Sequence, residues 1–256
     1  MSAVTWEDAG AGVLVATMGL APVNPLGAAV LDGLSAALDE ADARDARTVV
    51  VASSVPGFFA AGADIAHMAT IDDAGFAAYG DRLRALLDRL AAPGRVTVAA
   101  VEGRALGGGM ELAMACTLRV AGARAAFGLP EVRLGLIPGA GGTQRLPRLV
   151  GRGRALEIML SARQVPAAEA ATIGLVDRLV DEGGARGAAL ALAAELAPMS
   201  RPALAAVVGC VDAAGDVDLA AGARHEAAAV QELFARGEAR EGLAAFLEKR
   251  APRFAP

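Results

Sequence analysis

Short valine-rich runs alternate along the first two thirds of this chain with longer segments whose apolar residues recur every three or four positions. The runs at 12–18, 47–52, 96–101, 117–121 and 175–180 are rich in β-branched residues and predict strands. Segment 27–42 places Val30, Leu31, Leu34 and Leu38 on one helical face, and 73–90 does likewise with Leu83, Leu86, Leu87 and Leu90. Strand and helix in alternation predict an α/β fold with a largely parallel sheet. After Val180 the pattern turns to helix alone, over 183–198, 202–211, 218–236 and 238–249, with Pro or Gly between. The expected organisation is an α/β core over 1–182 that carries the site. A helical region over 183–256 follows, with apolar faces that suit either the core or a neighbouring subunit.

Composition narrows the class. A chain of 256 residues buries a full core without disulfide or metal staples. Its 55% hydrophobic share is inflated by alanine, and no stretch of 18 or more residues is free of charge and glycine as a membrane span requires. The opening Met1-Ser-Ala-Val-Thr-Trp-Glu-Asp8 has acids where an export signal has lysines. Cys116 and Cys210 sit in apolar surroundings without CxxC spacing, as small hydrophobes of a reducing compartment do. A soluble, cytoplasmic protein with no membrane partner is expected. The net charge of −5 argues against a nucleic-acid surface. His67 and His225 lie far apart without a helical partner, which argues against a metal site.

Two acids stand where apolar sequence should not have them. Glu111 lies inside Ala105-Leu-Gly-Gly-Gly-Met-Glu-Leu-Ala-Met-Ala115, and Glu131 follows Pro130 in Phe127-Gly-Leu-Pro-Glu131. Each opens a predicted helix. First-turn acids offset the helix macrodipole anywhere, but a carboxylate among interior residues costs several kcal/mol unless it is paired, hydrogen-bonded or protonated. The run Gly107-Gly-Gly109 adds a further cost of roughly 0.5–1 kcal/mol per glycine relative to alanine, which close backbone approach to something would justify.

Three glycine-rich sites fall in the first 142 residues. Gly139-Ala-Gly-Gly142 resembles a phosphate-binding turn but lacks the Lys-Ser/Thr of a P-loop, and the segment before it is short for the strand of a dinucleotide fingerprint. It reads as a tight turn feeding a helix over 142–149. Ala60-Ala-Gly-Ala-Asp64 and Gly107-Gly-Gly109 each follow a predicted strand and open towards a helix, so the N–H groups of Ala63 and Gly108 suit a common crevice. Two such donors make an oxyanion hole, in which losing one costs about 2.7–4 kcal/mol of transition-state stabilisation.

The run Val101-Glu-Gly-Arg-Ala-Leu-Gly-Gly-Gly-Met-Glu-Leu-Ala-Met-Ala-Cys116, followed by Phe127-Gly-Leu-Pro-Glu-Val-Arg-Leu-Gly-Leu-Ile-Pro-Gly-Ala-Gly-Gly-Thr-Gln-Arg-Leu146, closely resembles the enoyl-CoA hydratase/isomerase, or crotonase, family. The likeness extends to Phe59-Ala-Ala-Gly-Ala-Asp-Ile65, Ala170-Ala-Thr-Ile-Gly-Leu-Val176 and Glu241-Gly-Leu-Ala-Ala-Phe-Leu-Glu-Lys-Arg250. It implies a crotonase-like spiral of repeated β-β-α units, with C-terminal helices that build a homotrimer or a hexamer made as a dimer of trimers. It also implies an acyl-CoA substrate whose thioester oxygen lies between the amides of Ala63 and Gly108.

Within the family the hydratase pattern has glutamates at both positions occupied here by Glu111 and Glu131. The resemblance therefore favours hydration of trans-2-enoyl-CoA to 3-hydroxyacyl-CoA, in fatty-acid β-oxidation or related acyl-CoA catabolism. Glu111 would take a proton from water attacking Cβ, while Glu131 orders that water and delivers a proton to Cα. Each transfer is worth about 100- to 10,000-fold. No cofactor is expected, coenzyme A being part of the substrate. A Δ3,Δ2-enoyl-CoA isomerase and a non-catalytic acyl-CoA-binding paralogue remain as alternatives.

The resemblance places the coenzyme beside Asp64 and Ile65, with Phe246 and Lys249 contributed by the C-terminal helix, and the acyl chain near His67, Met68, Ile71 and Phe76. One departure stands out: Leu20-Ala-Pro-Val-Asn-Pro-Leu26 is two residues shorter than the family pattern and lacks its basic side chain. A weakened phosphate contact at the Ala21-Pro22-Val23-Asn24 turn follows.

Overall fold

The computed structural model describes residues 2–254. A hairpin of β1 (Val4–Asp8) and β2 (Val13–Met18) leads into α1 (Ala28–Ala43), β3 (Thr48–Ser53), β4 (Phe58–Ala60), the single turn α2 (Ile65–Met68) and α3 (Asp73–Ala91). Then come β5 (Val96–Val101), β6 (Arg104–Leu106), α4 (Gly108–Ala115), β7 (Leu118–Gly122), β8 (Ala126–Gly128) and a 3₁₀ helix at Glu131–Leu134. The chain continues through α5 (Gly142–Val150), α6 (Arg152–Ser161), β9 (Val165–Pro166), α7 (Ala167–Thr172) and β10 (Arg178–Val180). Four helices close it: α8 (Ala185–Leu196), α9 (Arg201–Ala213), α10 (Leu219–Arg236) and α11 (Glu238–Leu247).

A long strand, a short strand and a helix recur three times, as β3-β4-α3, β5-β6-α4 and β7-β8-α5. The long strands join one sheet of order β1-β2-β3-β5-β7-β10, and the short ones join a second of order β4-β6-β8-β9. Pairing is parallel throughout except at β1/β2 and β8/β9. The spiral of β-β-α units expected from the sequence is thus the observed architecture.

Strands buried on both faces read as near-continuous apolar runs, and β5, buried along its whole length, is apolar but for Thr97, whose hydroxyl donates to Leu90 O at 2.9 Å. The period of two then deals alternate residues to different cores. Val49, Val51, Ala99 and Val101 face the main core with α1, α3 and α4. Val50, Ala52, Val98 and Ala100 face a second core closed by Ala185, Ala189, Leu192 and Ala193, at helical spacing on α8. In contrast, α9 and α10 have no buried residue, and Val207, Val211, Leu219, Phe234, Phe246 and Leu247 on α9 to α11 are all more than half exposed. Among the described residues no single helix is long and apolar enough to cross a membrane.

Besides the short strands β4, β6, β8 and β9, which the sequence pattern does not predict, two strands differ from expectation. β1 carries only one buried residue, Val4, so its sequence lacks apolar alternation. Of the predicted strand 175–180 only Arg178–Val180 pairs. The Leu175 and Val176 amides both donate to Ala170 O, at 2.9 and 3.2 Å, and so belong to the turn that ends α7.

Candidate active site

The short sheet brings the site together. Its adjacent parallel strands β4, β6 and β8 end in Ala61–Ala63, Gly107–Gly108 and Leu129–Glu131, so three segments distant in sequence emerge side by side. Crevices beyond the carboxyl ends of parallel strands are where open α/β sheets bind ligands. A cavity of about 460 Å³ lies there, walled also by α3 and by the loop 134–140. A larger cavity of about 550 Å³, between the end of α4 and α9, contains neither glutamate.

The glycine run is explained by two approaches. A Cβ on Gly109 would stand 2.2 Å from Ala60 O, so only glycine lets α4 lie against β4. Gly107, at φ 51° and ψ −128°, turns the chain into α4, and a Cβ there would meet Glu131 Oε1 at 2.9 Å. A Cβ on Gly108 would in turn stand 3.6 Å from Ala63 N, which puts the two amides beside one another on the cavity wall. Among the described residues neither N–H donates to another backbone group.

Glu111 is 2% exposed, on a helix whose every residue is buried. Its Oε1 accepts from Ala140 N at 2.7 Å and Gly142 N at 2.8 Å. Gly142 begins α5, so the carboxylate occupies a helix N-terminus, where otherwise unpaired N–H groups and the macrodipole favour negative charge. Burial pushes the Glu111 carboxyl above the usual range, opposed by the Gly142 and Ala140 amides and then by Arg145 and Arg84. Glu131 is half-buried, and its Oε2 is enclosed with no hydrogen-bond partner among the described residues. Burial pushes it up to about 7; its own backbone N–H opposes, and the charge of Glu111 adds to the rise. An unsatisfied buried acceptor costs about 1–3 kcal/mol, and a proton on Oε2 or a bound water removes that cost.

Of the other residues singled out in the sequence, Ile65, Met68 and Phe76 line the cavity. The Asp64 carboxylate instead caps α2, accepting from His67 N at 3.0 Å. Ile71 lies in the connection to α3 against Gly75, outside the lining. Phe246 on α11 is 80% exposed and Lys249 follows that helix; neither reaches the cavity within one chain. In the shortened turn Asn24 is fully buried, its amide donating to Ser53 Oγ and Phe59 O while Leu20 N donates to its Oδ1 at 2.7 Å.

Sequence reasoning missed several members. Gly139–Gly142 is a turn feeding α5, as expected, but it is also the clamp on Glu111. A buried acid upstream of a glycine-rich helix start was the available signal. Tyr79, whose hydroxyl donates to Leu26 O at 2.8 Å, and Arg84 line the cavity from α3, and Leu134, Leu136 and Ile137 from the loop. Among the described residues no three His, Cys, Asp or Glu side chains group to hold a metal ion.

Comparison with known proteins adds to this geometry. The profile of the enoyl-CoA hydratase/isomerase family matches residues 8–256. A probable mitochondrial enoyl-CoA hydratase 2 of Arabidopsis thaliana is 42% identical over 207 residues, covering 81% of this chain and 69% of that protein. A mitochondrial methylglutaconyl-CoA hydratase of Rattus norvegicus is 38% identical over 236 residues, covering 90% and 75%. Among solved structures, enoyl-CoA hydratase from Bacillus anthracis superposes with a TM-score of 0.93 at 32% identity, covering 98% of both chains. Pseudomonas aeruginosa DspI does so with a TM-score of 0.94 at 37% identity, covering 100% and 97%.

Proposed function

This chain belongs to the enoyl-CoA hydratase/isomerase family and is a hydro-lyase acting on acyl-CoA, and we propose that it adds water to trans-2-enoyl-CoA to give the 3-hydroxyacyl thioester. The observation that carries the reading is the unequal pair of carboxyls in one cavity, beside two neighbouring backbone amides that, among the described residues, donate to no other backbone group.

In the proposed reaction the thioester oxygen accepts from Ala63 N and Gly108 N, which stabilise enolate-like charge as it develops. Water attacks Cβ while Glu111, whose ionised form its two amide donors favour, takes a proton from it. Glu131, neutral below about 7, hydrogen-bonds that water and gives its proton to Cα. The proton left on Glu111 then returns to Glu131 through the next water to enter, and the balance is one water added. Like charges in a dry pocket do not both ionise freely, so each carboxyl supports the other's role. These steps need only proton transfer and hydrogen bonds; coenzyme A enters with the substrate and no metal or redox cofactor takes part.

Met68, Phe76, Leu83, Leu134, Leu136 and Ile137 make the cavity wall apolar, which suits a hydrocarbon acyl chain and a place in fatty-acid β-oxidation or related acyl-CoA catabolism. In this reading Ile65, on the cavity wall, and Asp64 beside it in sequence meet the coenzyme, with Phe246 and Lys249 supplied by a neighbouring subunit. The exposed apolar residues of α9 to α11 support a trimer or a hexamer. Light scattering should give three or six chains, and a monomer would remove that part of the proposal. Two free cysteines favour a reducing compartment such as the cytoplasm.

The test is loss of the conjugated-thioester absorbance of crotonyl-CoA and longer enoyl-CoAs, with 3-hydroxyacyl-CoA as product. Absence of turnover on every chain length, with acyl-CoA still bound, would reduce the chain to a binding protein. Retained isomerisation of 3-enoyl-CoA in Glu111→Gln, without hydration in the wild type, would make it an isomerase.

A further inference from the structure

Glu111 is held by a loop, and the loop is held by two arginines. Arg84, reaching across from α3, donates Nη1 to Gly139 O at 3.0 Å and Nη2 to Asp81 Oδ1 at 2.5 Å. Arg145 of α5 donates Nη1 to Ala140 O at 2.9 Å and Nη2 to Asp88 Oδ1 at 3.1 Å. The Gly139 carbonyl and the Ala140 N–H belong to one planar peptide unit. Arg84 therefore grips the oxygen end of the same group whose N–H end binds Glu111 Oε1.

A cation on a carbonyl oxygen does two things to its peptide. It fixes the plane, and it polarises the unit so that the N–H becomes a stronger donor. We propose that Arg84 is a positioning residue for the base: it aims the Gly139–Ala140 peptide at Glu111 and keeps that carboxylate ionised and in place in an otherwise apolar cavity. The inference rests on the acid–base reading of Glu111 given above.

Arg145 shares the work but is woven into the loop itself, since a Cβ on Gly141 would stand 2.1 Å from its Nη1. Arg84 comes from another element with its side chain 46% exposed, so its truncation leaves no void in the core. The charged and titratable groups around Glu111 are Arg84 and Tyr79 of α3, Arg145 of α5 and Glu131 of the 3₁₀ helix. α4 carries no other charge, and Asp81 and Asp88 pair with the arginines. Of these groups Arg84 and Arg145 oppose protonation of Glu111.

Full-length Arg84→Ala and Arg84→Lys, checked for fold and thermal midpoint, are compared with wild type in two measurements. The first is kcat and KM for crotonyl-CoA across pH. In Arg84→Ala kcat should fall on the order of 10- to 100-fold with KM nearly unchanged, because the base is misplaced rather than the substrate unbound. The acid limb of the profile should move to higher pH. Arg84→Lys should return the limb towards wild type but recover kcat only in part, since an ammonium cannot reproduce the planar fork. The second is ¹³C NMR titration of δ-labelled glutamate, with the Glu111 signal assigned by its loss in Glu111→Gln. Its midpoint should rise in Arg84→Ala and return in Arg84→Lys.

The titration reads Glu111 without turnover, so wild-type inactivity on every enoyl-CoA would refute the hydratase reading and leave Arg84 to be decided by NMR. An unchanged Glu111 midpoint in folded Arg84→Ala overturns the proposal. So does a change confined to KM for an enoyl-CoA bearing a terminal carboxylate, which would make Arg84 a receptor for substrate charge.

Discussion

The start of α4 and the 3₁₀ helix after β8 each deliver one glutamate to the same cavity, yet they treat it in opposite ways. At the first, two backbone N–H groups at 2.7 and 2.8 Å converge on one carboxylate oxygen, with two arginines behind them. At the second, an oxygen is enclosed with no hydrogen-bond partner among the described residues, and the neighbouring negative charge adds to the effect of burial. Glu111 is the more buried of the two, so burial alone does not decide which carboxyl keeps its charge. The donors decide. A helix N-terminus offsets part of the desolvation at Glu111, and the absence of one leaves Glu131 to hold a proton up to about 7.

The sharpest way to break this contrast is to make both groups neutral amides. Glu111→Gln preserves an acceptor for the Ala140 and Gly142 amides, and Glu131→Gln preserves shape, so neither should disturb the fold. Each should lower kcat for enoyl-CoA hydration by about 100- to 10,000-fold. The double variant should be scarcely worse than the poorer single one, because two groups acting on one water fail together. Stopped-flow hydration of crotonyl-CoA measures all three. If Glu131→Gln retained full activity, the orphaned oxygen would be a structural curiosity and the pair no pair.

A somewhat smaller effect is expected from pH. Activity requires Glu111 ionised and Glu131 protonated, so kcat should fall on the acid side as Glu111 takes up a proton and on the alkaline side as Glu131 loses its own near 7. The alkaline limb should be missing from the residual activity of Glu131→Gln. In Glu111→Gln the Glu131 midpoint, followed by ¹³C NMR, should fall, because the charge that helps raise it is gone. A midpoint that stayed put would show the two carboxyls to be independent.

How far the contrast could be read from the chain itself depends on where its information lies. β5 and the stripe Leu83, Leu86, Leu87 and Leu90 on α3 were legible because each declares its burial at the period of its own element. β4, β6 and β8 were not, since three residues are too few to show a period, although these strands bring the site together. The two glutamates stood out as acids in apolar sequence, but their difference did not. What separates them is backbone amides 29 and 31 residues downstream of Glu111, and a peptide N–H has no side-chain signature. The Arg84–Gly139 bond spans 55 residues and was equally silent. Leu175 and Val176 misled in the other direction, since apolar residues that plug a core from a turn read as strand.

The smallest effect is on stability, and it runs against intuition, because removing an acid should strengthen the fold. The Glu131 carboxyl has an ordinary value of 4.5 and is pushed up to about 7 in the folded protein. Between these values the folded state binds more protons than the unfolded one, so stability falls as pH rises through that window and the penalty is complete above it. Glutamine has the same shape and nothing to ionise. Glu131→Gln should therefore unfold at a higher temperature than wild type at pH 8 and at nearly the same temperature at pH 4. The gain should be on the order of 1–2 kcal/mol, reduced from the full linkage value because the side chain is partly open to solvent. Glu111→Gln should show a smaller gain of the same sign, since burial raises that carboxyl too but two N–H groups of a helix start, with Arg145 and Arg84, offset part of the rise. Calorimetry of the two variants at both pH values measures the difference, and equal responses would mean that the helix terminus does not distinguish the two carboxyls after all.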